Sequence, residues 1–164
     1  MIYKFKSKAT ADLIMLGPNG DQLLRLIGRE PAPKGIIEPQ TMFGAIADLQ
    51  QAEVDAAVAQ LGDRAVGYTV DVSSRAAVAD LAAQVEDQLG PIDLFVSNAG
   101  IGTGAGVEAS DQAWDQIWKV NVLSHVHAAR AVLPSMLDRG QGYLLSTASA
   151  AGLLTQIGDL PYSV

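Results

Sequence analysis

From Asp48 to the end of this chain, short apolar runs alternate with longer stretches whose apolar residues recur every three to four positions. That alternation leaves few ways to fold. A strand followed by a helix and then by another strand returns in parallel through a right-handed crossover, so the pattern implies a parallel α/β sheet. The spacing predicts a helix over about 50–61 stopped by Gly62, then a strand over 65–70 that delivers Asp71 and Val72 at its carboxyl end. Ser73 or Ser74 caps the next helix, whose Val78, Leu81, Ala82, Val85 and Leu89 share one face and which stops at Gly90-Pro91. The run from Ile92 to Ser97 is almost continuously apolar, as expected of a parallel strand buried on both faces, and it opens into Asn98-Ala99-Gly100. Ser110 starts a long helix through Trp114, Ile117, Val120, Val126 and Ala129 to about Leu137. After Gly140 a strand from Tyr143 to Thr147 leads to Ser149.

Residues 1–47 have a different texture and are expected to form a small α+β segment. Gly17-Pro18-Asn19-Gly20, Pro31, Pro33 and Pro39 punctuate short elements: an alternating strand over Ile2 to Lys6, a second over Leu13 to Leu16, and a short helix over 21–27 ending at Gly28. The opening 45 residues or so resemble a small bacterial family of unknown function. Charge divides at the same place, net +2 over residues 1–47 and net −9 over residues 48–164. So acidic a second part repels phosphates, and no cluster of basic and aromatic residues offsets it, which argues against nucleic-acid binding. Lys4, Lys6 and Lys8 alternate as the solvated face of a strand.

With 49% hydrophobic and 18% charged residues, the chain is long enough to bury a core. It has no cysteine, which excludes disulfides and thiolate metal sites and fits a reducing cytoplasm. No apolar run approaches the roughly 18 residues that span a bilayer, so a soluble, unexported protein is expected. His125 and His127, two apart on one helix, point in different directions and suggest helix packing or surface positions, with no metal site.

Each of Asp71, Asn98-Ala99-Gly100 and Ser149 falls at the carboxyl end of an expected strand, which is where open α/β sheets bind ligands. Taken singly, Asp71 reads equally as a helix-start carboxylate and Gly100 as a plain turn. In order, with Asn121 in the long helix and Pro161-Tyr162-Ser163 thirteen residues beyond Ser149, they resemble the short-chain dehydrogenase/reductase family from about residue 48 onward. The resemblance implies a partial Rossmann-like, doubly wound parallel sheet over 48–164 that binds NAD or NADP. It implies hydride transfer between the nicotinamide and an alcohol or carbonyl substrate, a small molecule. Tyr162 would move the hydroxyl proton, Ser149 would bond the substrate oxygen, and Asn121 would support a water leading to a lysine. Asp71 would accept from the adenine amino group with the Val72 backbone beside it, and Asn98, Ala99 and Gly100 would form the turn along the cofactor ribose. The long helix packs between subunits in such proteins, so a homo-oligomer is compatible with it. Gly102-Thr103-Gly104-Ala105-Gly106 lines up with a loop near the active site, although a flexible connector is the ordinary meaning of such a stretch.

Two departures qualify the resemblance. A dinucleotide fold seats its pyrophosphate on a glycine-rich turn between the first strand and helix, and Gly17-Pro18-Asn19-Gly20 has neither the family's spacing nor its threonine. The family also places a lysine four positions after the tyrosine, whereas Val164 comes two after Tyr162. A free phenol titrates near pH 10, so about one in a thousand is ionised at neutrality without such a neighbour. The expectation is an incomplete fragment of an oxidoreductase; the alternative is a non-catalytic fusion remnant or binding protein. Asp48 reads either as the acidic end of the second strand, which would favour NAD over NADP, or as part of a helix that begins within 39–47. In the strand order 3-2-1-4-5, loss of the first strand separates the strand at 66–70 from that at 92–97. Either Leu13 to Leu16, with Ile36-Ile37, substitutes for it, or the sheet is broken and the domain marginal; the second is expected.

Overall fold

The computed structural model describes residues 2–5, 13–16, 21, 25, 44–48, 50–153 and 157–163. The chain divides into two compact units, Met1–Phe43 and Gly44–Val164. In the first, β1 (Ile2–Phe5) and β2 (Leu13–Leu16) form an antiparallel pair with Ile2 opposite Leu16 and Phe5 opposite Leu13. Among the described residues β2 pairs with β1 alone, so it does not stand in for a strand of the parallel sheet. Asp21 and Arg25 are helical. The remainder of the helix expected over 21–27, and Ile36-Ile37, lie outside the described residues.

The second unit is βαβ throughout. β3 (Gly44–Asp48) pairs in parallel with β4 (Ala65–Thr69), Gly44 opposite Ala65 and Asp48 opposite Thr69. The ladder runs one bond further, from Val70 N to Asp48 O at 2.8 Å. Asp48 therefore ends a strand, and residues 44–48 are not the start of a helix. Helix α1 (Gln51–Leu61) crosses between the two strands and lies against them, burying Val54 to 1% exposure. Gly62, at φ 67°, ends it in the left-handed region that glycine reaches without strain.

Helix α2 (Arg75–Leu89) begins where Ser74 accepts from Ala77 N, which settles which serine caps it. It buries Val78, Leu81 and Ala82, while Leu89 at its end stays exposed. β5 (Leu94–Ser97) and β6 (Tyr143–Ser146) form the second parallel pair, Leu94 opposite Tyr143 and Ser97 opposite Ser146. Between them run α3 (Asp111–Trp118), a π-helical turn (Lys119–Leu123) and α4 (Ser124–Arg139). The expected long helix is thus interrupted: Ser124 N reaches back five residues to Lys119 O, the extra residue of a π-bulge. Gly140, at φ 65°, closes α4 two residues beyond the expected end.

The core lies where α2 and α4 pack on one face of β5 and β6. Ala82, Ile92, Val132 and Met136 are buried together, with Val85, Phe95, Ala131 and Leu144 packed against them. Val132, 1% exposed, is worth about 1.5–3 kcal/mol of burial. At the rim Arg139 grips the start of β5, Nη1 donating to Asp93 Oδ1 at 2.9 Å and Nη2 to Ile92 O at 2.8 Å.

The expectation that the strand after Ile92 is buried on both faces fails. Phe95 turns into the α2/α4 layer, but Val96 on the opposite face is 47% exposed. The reason is that, among the described residues, α2 and α4 pack on the Phe95 face and nothing covers the other. Among the described residues β3–β4 and β5–β6 are separate pairs, and no strand joins the outer edge of β3 to that of β5. In a 3-2-1-4-5 order those are the two edges that flank the first strand, and among the described residues the sheet is split there. No helix among the described residues is long and apolar enough to cross a membrane.

Candidate functional site

The carboxyl ends of the parallel strands carry the candidate residues. At the end of β3 the exposed Asp48 accepts from Gln50 N at 2.8 Å, and two residues after β4 the exposed Asp71 accepts from Ser73 N at 2.9 Å. Each carboxylate is thereby fixed in direction by a backbone amide two residues on. The carbonyl oxygen of Val72 lies 3.5 Å from Nδ1 of His127, which is buried in α4, so His127 packs between elements while His125 is half-buried. Among the described residues no group of three or more metal-binding side chains converges.

β5 opens at Ser97 into Asn98-Ala99-Gly100, all three exposed. Asn98 Oδ1 accepts from Thr147 Oγ1 at 2.7 Å, a bond that ties the exits of β5 and β6 together. Asn121, in the π-turn, uses both ends of its amide on one residue: Oδ1 accepts from Ile101 N and Nδ2 donates to Ile101 O, each at 2.9 Å. Asn121 lies within the π-turn and its side chain reaches the loop after Gly100. Its side chain acts here as a clamp on the loop backbone.

Asn98, Gly100, Ile101, Gly102, Ser149, Asp159 and Tyr162 line one cleft of about 480 Å³. Ser149 stands just beyond β6, where its Oγ accepts from Ala151 N at 3.1 Å and starts the short turn Ala150–Gly152. Tyr162, half-buried, sits in a second short turn, Pro161–Ser163. The fold therefore brings Asn98, Gly100, Ser149 and Tyr162 to one cleft, with Asn121 reaching it through Ile101. Asp48, Asp71 and Val72 stand apart from that cleft, at the ends of β3 and β4.

Asp159 and Glu108 escaped the sequence reading. Asp159 is 8% exposed and accepts from Thr103 N at 3.1 and 3.2 Å and from Thr103 Oγ1 at 2.8 Å. Burial opposes the charge of Asp159, but hydrogen bonding, the Thr103 side chain foremost, outweighs it and holds the pKa below the usual 3.8. No spacing rule links residues 56 apart. The only trace in the sequence is an acid placed just before the Pro-Tyr-Ser turn. The glycine-rich stretch is likewise more than a connector: Gly102 lines the cleft, Gly104 has φ 63°, and Glu108 closes the far end by accepting from Gly106 N at 2.8 Å. That bond, with one from its own amide, lowers the Glu108 pKa against a smaller effect of burial.

The profile of the short chain dehydrogenase family matches residues 27–164, so the likeness begins well before residue 48. A protein named inactive 2-(S)-hydroxypropyl-CoM dehydrogenase 2, from Xanthobacter autotrophicus, is 36% identical over 111 residues, 67% of this chain and 48% of the relative. An NADP-dependent 3-hydroxy acid dehydrogenase of Salmonella typhi is 33% identical over 105 residues, 63% of this chain and 42% of its own length. Among solved structures, a short chain dehydrogenase/reductase from Burkholderia phymatum in complex with NAD matches with a TM-score of 0.71 at 31% identity. That match covers 74% of this chain and 45% of the other. The chain thus spans about half the length of the relatives it matches, or less.

Proposed function

The chain belongs to the short chain dehydrogenase family, and from that premise we propose that its cleft serves NAD(P)-dependent oxidoreduction of a small alcohol or carbonyl substrate. The observation that carries this reading is the convergence of Asn98, Gly100, Ser149 and Tyr162 on one cleft at the carboxyl ends of β5 and β6. A carboxylate at the end of each of two adjacent parallel strands suits the adenosine half of a dinucleotide, Asp48 toward the ribose and Asp71 toward the base. Asp48 at a strand end favours NAD over NADP. No glycine-rich turn for the pyrophosphate occurs among the described residues.

The nicotinamide, when bound, supplies or accepts the hydride. In the reducing direction the Ser149 hydroxyl donates to the substrate oxygen and holds it in the cleft, and the Tyr162 phenol gives that oxygen its proton. In the oxidising direction Tyr162 takes the proton back. Asn98 and Gly100 form the wall along the ribose, and Asn121 fixes that wall through the Ile101 backbone. The exposed apolar residues Val126, Leu133 and Leu137 along α4 suit a homo-oligomer contact.

A second reading is cofactor binding without turnover. It is favoured by Gly17-Pro18-Asn19-Gly20, which lacks the family's spacing and threonine, and by a relative whose name calls it inactive. Titration of NADH and NADPH against the purified chain, followed by fluorescence, tests both. Saturable binding together with carbonyl reduction that Tyr162→Phe abolishes supports the enzyme. Binding with no turnover selects the second reading, and no binding refutes both.

A further inference from the structure

We infer that Asp159 is a positioning residue whose carboxylate fastens the loop over residues 102–106 to the turn carrying Tyr162, setting the separation of the two lips of the cleft. This deepens the proposed function and rests on Tyr162 being its proton-transfer group.

The turn Pro161–Ser163 is a single 3₁₀ turn, too short to hold an orientation by its own hydrogen bonds. Asp159 supplies what the turn lacks. Its carboxylate takes Thr103 N at 3.1 Å and Thr103 Oγ1 at 2.8 Å, from a position three residues before Tyr162. Thr103 thereby engages both carboxylate oxygens, its amide reaching Oδ1 and Oδ2 and its hydroxyl Oδ1. Bonds to a charged acceptor are shorter and about twice as strong as neutral ones, and this acceptor is nearly out of solvent. Thr103 relays the hold, since its Oγ1 accepts from Ala105 N at 3.3 Å. Two further bonds run alongside: Leu160 N donates to Ala105 O at 2.9 Å, and Ser163 Oγ donates to Asp159 O at 3.2 Å.

Gly102 gives independent support. A Cβ built there would lie 2.5 Å from Asp159 Oδ2, inside any real carbon–oxygen contact. The carboxylate cannot yield without giving up its donors, so the clasp closes only over a residue with no side chain. Loops and short turns are otherwise among the parts of a domain with the lowest local stability. One buried carboxylate is what makes them a fixed wall.

The test uses the full chain with Asp159→Ala, Asp159→Asn and Gly102→Ala, each checked for folding by circular dichroism. Hydrogen exchange of the Thr103, Ala105 and Leu160 amides is the primary readout. Asp159→Ala is expected to accelerate these about tenfold or more while Val132 keeps its protection. Asp159→Asn, with one acceptor oxygen left, should fall between, and Gly102→Ala should accelerate the same amides yet add nothing in the Asp159→Ala background. Unchanged exchange, or acceleration spread evenly through α2 and α4, overturns the clasp, and so does full additivity of Gly102→Ala with Asp159→Ala. Where the wild-type chain turns over, kcat should fall about tenfold in Asp159→Ala with the cofactor KM unchanged; a rise in KM at constant kcat overturns the positioning role. A wild-type chain without turnover sinks the oxidoreductase reading, and the amide exchange still judges the clasp.

Discussion

Replacing Gly67 by alanine puts a single methyl group into the contact between α1 and the β3–β4 pair, and its cost can be worked from the geometry. The new Cβ would lie 2.3 Å from Val54 Cγ1 and 2.9 Å from Val58 Cγ2. Neither valine can swing aside, because a β-branched side chain in a helix has one strongly preferred χ1 rotamer and Val54 is fully enclosed. Relief therefore requires the helix to lift. Going from 2.3 Å to an ordinary carbon–carbon separation of about 3.8 Å means a shift of about 1.5 Å, enough to forfeit much of the dispersion energy along the interface. Overpacking of this kind costs about 1–3 kcal/mol. Against it stands a gain of about 0.5–1 kcal/mol from removing glycine from a strand interior. The expected net loss is about 1 kcal/mol, or a fall of about 2–4 °C in Tm for a chain of this size. Val54→Ala alone should also destabilise, by about 2 kcal/mol for two buried methyl groups and the space they leave. Combined with Gly67→Ala it should cost about 1 kcal/mol less than the sum, because the space left by Val54→Ala takes up the new methyl group. Urea and thermal unfolding of the four chains measure the cycle. A neutral or stabilising Gly67→Ala, or strict additivity, would show that α1 does not rest on β4 at this position.

Two further outcomes follow from the charge and the exposed apolar surface. The folded-state pKa of Asp159 is depressed, so its contribution to stability is complete above the ordinary value of 3.8 and is lost as pH falls through the lower folded value. The urea midpoint of the wild-type chain should fall between about pH 5 and pH 2.5, and Asp159→Asn should flatten that decline; parallel acid limbs in the two proteins would contradict this. On α4, Leu137 is 70% exposed and Leu133 40%, so Leu137→Glu should leave monomer stability within about 0.5 kcal/mol. It should weaken self-association, measured by light scattering on a sizing column, by about a hundredfold or more, since an unpaired charge would be buried. An unchanged mass at equal concentration would exclude this face as the contact.

The split sheet matters for both the fold and the site. β3 and β5 each present an unpaired edge among the described residues, and such edges are where other strands add or chains aggregate. The candidate cleft nonetheless sits wholly on the β5–β6 side, held by bonds that do not pass through β3 or β4. Local integrity of the cleft is thus separable from continuity of the sheet.

The sequence by itself determined the alternation of elements, their approximate ends and the strand-end positions of Asp71, Asn98 and Ser149. Those features are local. Apolar period, a capping serine and a glycine at positive φ act within a few residues of one another, so α2 begins at Ser74 and stops at Gly90 as its pattern requires. The tertiary structure alone decided whether Asp48 ends a strand, because the 44–48 segment becomes β by pairing with residues 65–69. It alone exposed Val96: an apolar run specifies a buried strand only if layers exist to cover both faces. It alone turned a helical asparagine into a clamp, within a π-turn that no residue in 119–123 announces. And it alone brought Asp159 to Thr103, 56 positions away, since a carboxylate's partners are chosen by how the loops cross and not by any period in the chain.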